Sequence, residues 1–77
     1  MARVRRPPSR ELGERVRKLR LERGLTQEKL GQRVGLDRTH IGFVEQARRD
    51  VRFTTLLLIA KALDVDVGDL VRGIEPA

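Results

Sequence analysis

Apolar residues recur along this chain at intervals of three or four positions, which is the spacing of one face of an α-helix. Leu12, Val16 and Leu19 form the first such stripe. They predict a helix over residues 9 to 23, with Ser9 as its N-cap. No stretch shows the strict apolar–polar alternation of a β-strand. The pattern therefore predicts an all-α fold.

Two shorter helices are predicted next, over residues 27 to 34 and 38 to 46, and only three residues separate them. Thr26 and Asp37 precede these helices and are suited to cap them, because their side chains can accept hydrogen bonds from the first turn. The residues expected to be buried are Leu30, Val34, Ile41 and Val44.

Two further helices are predicted over residues 53 to 63 and 67 to 71. The first is expected to be largely buried through Phe53, Leu56, Leu57, Ile59, Ala60 and Leu63. Leu58 falls on the other side of it and is expected to be exposed. The start of this helix stays open, since Asp50 and Thr54 are both possible caps.

The pattern as a whole predicts a compact five-helix domain over residues 9 to 72, followed by a short tail at 73 to 77. Residues 1 to 8 read MARVRRPP and form a basic arm. The arm is either a solvated tail or a segment that touches phosphates or the minor groove of DNA.

The closely joined middle helices meet the requirements of a helix-turn-helix, whose helices cross at roughly 90 to 120° over a short turn. A glycine inside a helix costs about 1 kcal/mol against alanine, so Gly31 is expected where another backbone comes very close. Gly35 suits a turn residue with positive φ. The outer face of the second helix is polar apart from Phe43, and its polar positions are Arg38, Thr39, Gly42 and Gln46.

The charge is concentrated in the same part of the chain. Residues 1 to 50 hold 14 Arg and Lys against 7 Asp and Glu, a net +7, whereas residues 51 to 77 hold 3 against 4, a net −1. This asymmetry suggests a polyanionic partner. A solvated, arginine-rich surface is the alternative.

The chain offers little for catalysis, because it has one serine (Ser9), one histidine (His40), no cysteine and no tyrosine. No nucleophile with an orienting base is visible, and one histidine without cysteine argues against structural zinc. We expect no enzyme activity, no cofactor, no metal and no small-molecule ligand. No apolar run approaches the roughly 20 residues of a membrane span, so a cytoplasmic location is expected.

The segments LGERVRKLRLERGLTQEKLGQRVGLDRTHIGFVEQARRD and TTLLLIAKALDVDVGDLV resemble the phage-repressor/Cro-like (XRE) helix-turn-helix family, over about residues 11 to 71. The string GLDRTHI and the arginine-rich connection after it are also similar to the controller proteins of restriction–modification systems. The resemblance implies binding to double-stranded DNA, with the second helix of the motif in the major groove.

Carried onto this chain, the resemblance implies that Arg38, Thr39 and Phe43 contact bases. Phe43 could instead pack beside Ala47, because an exposed phenylalanine is unfavourable. The implied phosphate contacts are Gln27, His40, Gln46, Arg48 and Arg49. For His40, Arg48 and Arg49 a solvated position is the alternative.

The family pattern also implies an ion pair between Arg20 and Glu45 that ties the first helix to the third. This chain departs from the family at Ala47, where glycine is usual, so the loop after the third helix is expected to follow a different path.

A homodimer is expected, because one such domain reads few base pairs and two-fold dimers read paired half-sites. The candidate interface residues are Leu58, Val67, Leu70 and Val71. The alternative places most of them in the core of the monomer.

The implied function is a self-regulating, controller-like transcriptional regulator, for which RNA polymerase is a further candidate partner. A protein-interaction module, such as an antitoxin or a coactivator-type adaptor, is the alternative.

Overall fold

The computed structural model describes residues 8–48 and 50–76. In these residues the regular secondary structure is α-helical, and no β-strand is present. The helices are α1 (Pro8–Glu22), α2 (Gln27–Val34), α3 (Arg38–Glu45), α4 (Phe53–Ala62) and α5 (Val67–Val71). The predicted all-α fold and its five helices are confirmed, with each end within a residue of its predicted place. No helix in the described ranges is long and apolar enough to cross a membrane.

The start of α1 differs from the prediction. Ser9 lies inside the helix and is not its N-cap, because the helix already includes Pro8. Proline suits the first turn of a helix, where its missing N–H has no intrahelical partner to lose. The rest of the predicted basic arm, residues 1 to 7, lies outside the described residues.

The core lies where the five helices meet. Its fully buried or nearly buried residues are Leu12, Val16, Leu30, Val34, Ile41, Val44, Ile59, Ala60, Leu63 and Leu70. They come from every helix, so each helix contributes one apolar stripe to a common interior. Ile74 also packs against this core, which ties part of the predicted tail to the domain.

Helix α1 packs directly on α3 through Gly13, which is buried. A β-carbon built on Gly13 would lie 2.5 Å from the carbonyl oxygen of Val44 and 2.7 Å from that of Glu45. The two helix backbones therefore approach too closely for any side chain between them. The sequence prediction did not include this contact.

The outer side of α4 is more exposed than predicted. Phe53 is 66% exposed and Leu57 is 44% exposed, so the prediction that both are buried is wrong. Leu58 is 46% exposed, as predicted. Within residues 8–48 and 50–76, α4 faces the other helices with the side that carries Ile59 and Ala60, and Leu63 continues this side just after the helix. The isolated chain thus leaves three large apolar side chains of one helix in contact with water.

Candidate nucleic-acid interface

The α2–α3 pair has the geometry of a helix-turn-helix. A β-carbon on Gly31 would collide with the backbone carbonyl oxygen of Leu36, so the backbone of α2 touches the turn at this point. Gly35 follows α2 with φ of 78°, a left-handed conformation that glycine adopts without strain. The two glycines therefore allow the tight turn that brings α3 across α2.

Side-chain caps fix the first turns of both helices. The Thr26 hydroxyl accepts a hydrogen bond from the Lys29 N–H at 3.0 Å, and the Asp37 carboxylate accepts one from the His40 N–H at 2.8 Å. Each cap satisfies a backbone donor that has no partner within its helix. Because α3 starts at a defined residue, Arg38 and Thr39 project from its first turn in a defined direction.

The outward face of α3 follows from its buried face. Ile41, Val44 and Glu45 are the buried residues of α3, and its other positions, together with Gln46 at its end, are exposed or half-buried. The outward positions are Arg38, Thr39, His40, Gly42, Phe43 and Gln46. Four of these, namely Arg38, Thr39, His40 and Gln46, are exposed. The predicted base-reading residues and two of the predicted phosphate contacts thus lie on one accessible surface.

Phe43 is half-buried rather than fully exposed. It lies beside an open cleft of about 490 Å³ between α3 and the start of α4, which Arg52 and Thr55 also line. Part of the Phe43 side chain therefore remains accessible. Arg52, which the sequence analysis did not single out, therefore lies near the predicted interface.

The end of α3 corrects the expectation for Ala47. Ala47 has φ of 57°, the left-handed conformation that a glycine would favour. The Ala47 N–H donates to the Val44 carbonyl and the Arg48 N–H donates to the Phe43 carbonyl, at 3.2 and 3.0 Å. This is the hydrogen-bond pattern of a Schellman motif. The loop therefore leaves α3 through the usual left-handed turn, although alanine occupies the position.

Arg48 follows closely after the end of α3. Arg48 is exposed, and its Nε donates a hydrogen bond of 2.9 Å to the Gln46 side-chain oxygen. Both side chains can leave this exposed pair at little cost. Arg49 lies outside the described residues.

The structure brings Arg20, Glu45 and Gln27 together behind the outward face. Arg20 donates to both oxygens of Glu45, from Nε to Oε2 at 2.6 Å and from Nη2 to Oε1 at 3.0 Å. Its Nη1 donates to the Leu25 carbonyl at 2.8 Å. Gln27 Nε2 donates to Glu45 Oε1 at 3.2 Å. The network joins α1, the start of α2 and the end of α3.

Both charges of this pair are almost fully buried, with 9% of the Arg20 side chain and 2% of the Glu45 side chain exposed. The hydrogen bond to Glu45 raises the pKa of Arg20, and this outweighs the opposing effect of burial. A raised pKa of a basic group adds stability that is fully present below its ordinary pKa and is lost only above it. Arg20 therefore stays positively charged at neutral pH.

The predicted dimer residues fall into two groups. Leu58 and Val71 are exposed, at 46% and 38%, and Val67 is half-buried. Leu70 is fully buried among the core residues, because α5 packs on both α1 and α4. Its side chain is not accessible to a partner, so its assignment to a dimer interface is withdrawn.

Comparisons with known proteins agree with this geometry. The family model described as helix-turn-helix matches residues 16–70. Control protein C.SmaI of Serratia marcescens is 46% identical over 59 residues, which cover 77% of this chain and 70% of that protein.

Two solved structures are also similar. The restriction-modification controller protein C.AhdI from Aeromonas hydrophila superposes with a TM-score of 0.79 at 40% identity, covering 80% of this chain and 94% of that one. The P22 c2 repressor in complex with a synthetic operator gives a TM-score of 0.75 at 31% identity, with the same coverage of 80% and 94%. The chain therefore belongs to the helix-turn-helix family, as a DNA-binding regulator of the controller and repressor type.

Proposed function

We propose that this protein is a transcriptional regulator that reads a specific double-stranded DNA sequence as a homodimer on a palindromic operator. The observation that carries the proposal is the outward face of α3, which is polar, begins with exposed Arg38 and Thr39, and is held from behind by α1 and α2. In helix-turn-helix complexes the second helix enters the major groove, and its N-terminal residues contact base edges.

Arg38, Thr39 and Phe43 are the proposed base-reading residues. The Arg38 guanidinium can donate two hydrogen bonds to O6 and N7 of one guanine, which is worth about 1 to 3 kcal/mol of discrimination. Thr39 can donate from its hydroxyl or pack its methyl group against a thymine methyl. The accessible part of the Phe43 ring suits thymine methyls or sugars.

The proposed phosphate contacts are Gln27, His40, Gln46, Arg48 and Arg49. Gln27 is the first residue of α2, and the N-terminus of a helix favours an anion. Arg48 is exposed and pairs with Gln46 at the surface, so it can turn toward a phosphate. These contacts would fix the position of α3 on the duplex without selecting its sequence.

The dimer is proposed to form through the outer face of α4. Phe53, Leu57 and Leu58 leave an apolar surface on a chain whose other faces are rich in charge. A second copy that covers this surface would also supply the second DNA-reading helix. Val67 and Val71 of α5 extend the candidate interface. Two-fold pairing matches two half-sites about one helical turn apart.

Self-regulation is proposed because of the likeness to proteins named control and controller proteins. A self-regulating protein must bind DNA close to its own gene. The test is therefore binding of the purified protein to the DNA upstream of its own gene, titrated in protein and in salt.

The Arg38→Ala variant makes this test specific. We expect saturable binding in dimer steps by the wild type, and roughly tenfold or greater loss of affinity for the preferred site in the variant. Arg72→Ala is the matched control, since it removes the same charge after α5, where Arg72 forms a surface ion pair with Asp69. Equal, strongly salt-dependent binding to every duplex that ignores Arg38→Ala would contradict the proposal.

A further inference from the structure

Glu45 is the last residue of α3, yet its carboxylate is turned away from the outward face. It accepts two hydrogen bonds from Arg20 and one from Gln27 Nε2. With 2% of its side chain exposed, Glu45 does not touch DNA that lies on the outward face. An unpaired carboxylate at that face would repel phosphates, and the pairing with Arg20 removes this repulsion.

The hydrogen bond to Glu45 fixes the orientation of the Gln27 amide. An ionised carboxylate accepts hydrogen bonds and cannot donate one, so only the amide nitrogen of Gln27 can face it. The nitrogen carries two hydrogens, and Glu45 takes one of them. The second hydrogen stays available to an acceptor outside the protein. If the amide turned over, its oxygen could take the place of this donor and would repel a phosphate.

The Gln27 amide lies over Gly42 of α3. A β-carbon on Gly42 would lie 3.8 Å from Oε1 and 3.9 Å from Nε2 of Gln27. The amide therefore lies across α3 at a position that has no side chain, on the same surface as Arg38 and Gln46. Gln27 reaches this surface from α2, so its amide bridges the two helices of the motif.

We propose that Glu45 is a positioning residue for DNA binding, which holds the Gln27 amide across Gly42 with one N–H directed at a DNA phosphate. The Arg20–Glu45 pair then does more than connect α1 to α3, because it also sets the geometry of a phosphate contact. This inference rests on the proposed DNA-binding function of α3 and on Gln27 as a phosphate contact.

The first test is made on the wild-type protein in solution and needs no substitution. Nuclear magnetic resonance can follow the two side-chain amide protons of Gln27 and compare them with those of Gln32, which is exposed on the same helix. We expect one Gln27 proton to be shifted downfield and slowed in exchange with water, and both Gln32 protons to behave as free. Gln27 protons that match those of Gln32 would overturn the inference.

The second test measures affinity with the ion pair replaced by apolar side chains. Removing one charge alone would leave the other buried and unpaired, whereas replacing both by apolar residues is often neutral or stabilising. The variant Arg20→Met/Glu45→Met therefore keeps the packing and the net charge, and it removes the acceptor for Gln27. Its folding is checked by urea denaturation, and the Gln27 amide signals should become like those of Gln32.

Four proteins are compared, namely the wild type, Gln27→Ala, Arg20→Met/Glu45→Met and the triple variant. The probe is a duplex that carries the sequence enriched by the wild type from random DNA. We expect Gln27→Ala and Arg20→Met/Glu45→Met each to bind the duplex about tenfold more weakly than the wild type. The triple variant should also bind about tenfold more weakly than the wild type, rather than a hundredfold. The two changes would then act through one contact.

Three results would contradict parts of this picture in distinguishable ways. Full affinity of the folded Arg20→Met/Glu45→Met variant would overturn the positioning role of Glu45. A hundredfold loss in the triple variant would also overturn it, since the two effects would then be independent. If the wild type enriches no sequence at all, the proposed function itself fails, and the amide measurement still decides whether Glu45 holds Gln27.

Discussion

Replacing Gly13 with alanine tests whether the contact between α1 and α3 is as close as the structure indicates. The added β-carbon would lie 2.5 Å from the Val44 carbonyl oxygen, and ordinary contact begins at about 3.4 Å. The two helices would therefore have to separate locally by about 0.9 Å. Neither side can yield by rotating a side chain, because the obstacles are backbone carbonyls.

The expected free-energy change combines two opposing effects. Alanine is favoured over glycine inside a helix by about 1 kcal/mol. Overpacking of a close-packed interior costs about 1 to 3 kcal/mol, and an overlap with rigid backbone belongs in the upper part of that range. We therefore expect Gly13→Ala to lower the free energy of unfolding by about 1 to 2 kcal/mol. That is a large part of the stability of so small a domain.

Gly42→Ala is the matched control, since the same substitution in α3 meets only the Gln27 side chain at 3.8 Å. It should raise the free energy of unfolding by up to about 1 kcal/mol. Urea denaturation at one fixed protein concentration measures the stability of both variants. A shift in the urea midpoint with an unchanged m-value reports the change in the free energy of unfolding. A Gly13→Ala variant as stable as Gly42→Ala would refute the close approach of α1 and α3.

Three further substitutions test other features. Ala47→Gly should raise the free energy of unfolding by about 0.5 to 1 kcal/mol in thermal or urea denaturation. The left-handed conformation costs alanine about 1 to 2 kcal/mol, and the greater conformational entropy of glycine in the unfolded chain offsets part of the gain from removing this cost. Arg52 stands at the N-cap of α4 without a side-chain cap, so Arg52→Ser should add about 1 kcal/mol in the same measurement while Arg52→Ala should not; equal stability of the two would exclude a capping effect. Leu58→Lys should convert the proposed dimer into a monomer in sedimentation velocity, whereas Leu21→Lys, at a similarly exposed site on α1, should leave it intact; an unchanged Leu58→Lys dimer would place the interface elsewhere.

The helices were predictable because their signals are local. Apolar spacing, capping residues such as Thr26 and Asp37, and turn glycines such as Gly35 act within a few positions of the chain. The close approach at Gly31 could also be predicted, since a glycine in mid-helix has few other physical justifications. The resemblance to a known family supplied the Arg20–Glu45 pair, which spacing alone does not reveal.

The sequence did not predict the contacts and exposures that depend on how distant parts of the chain pack together. Gly13 has the same local cost as Gly31, but only the position of α3 shows what it contacts. Phe53 and Leu57 follow a helical spacing that fits a buried stripe, and the sequence does not show that this side of α4 is exposed in the described part of the chain. The hydrogen bond from Gln27 to Glu45 joins residues 18 positions apart, and no pattern along the chain indicates it.

The division of α3 into inward and outward residues has a consequence for how such regulators diversify. Ile41, Val44 and Glu45 are buried and hold the helix to the domain, whereas Thr39 and Gln46 are exposed and do not pack in the core. Mutations at the outward positions can therefore accumulate with little loss of stability. If α3 reads the operator, related proteins can acquire different target sequences on one unchanged scaffold. Two copies in one cell could then evolve to ignore each other's sites through a few surface substitutions.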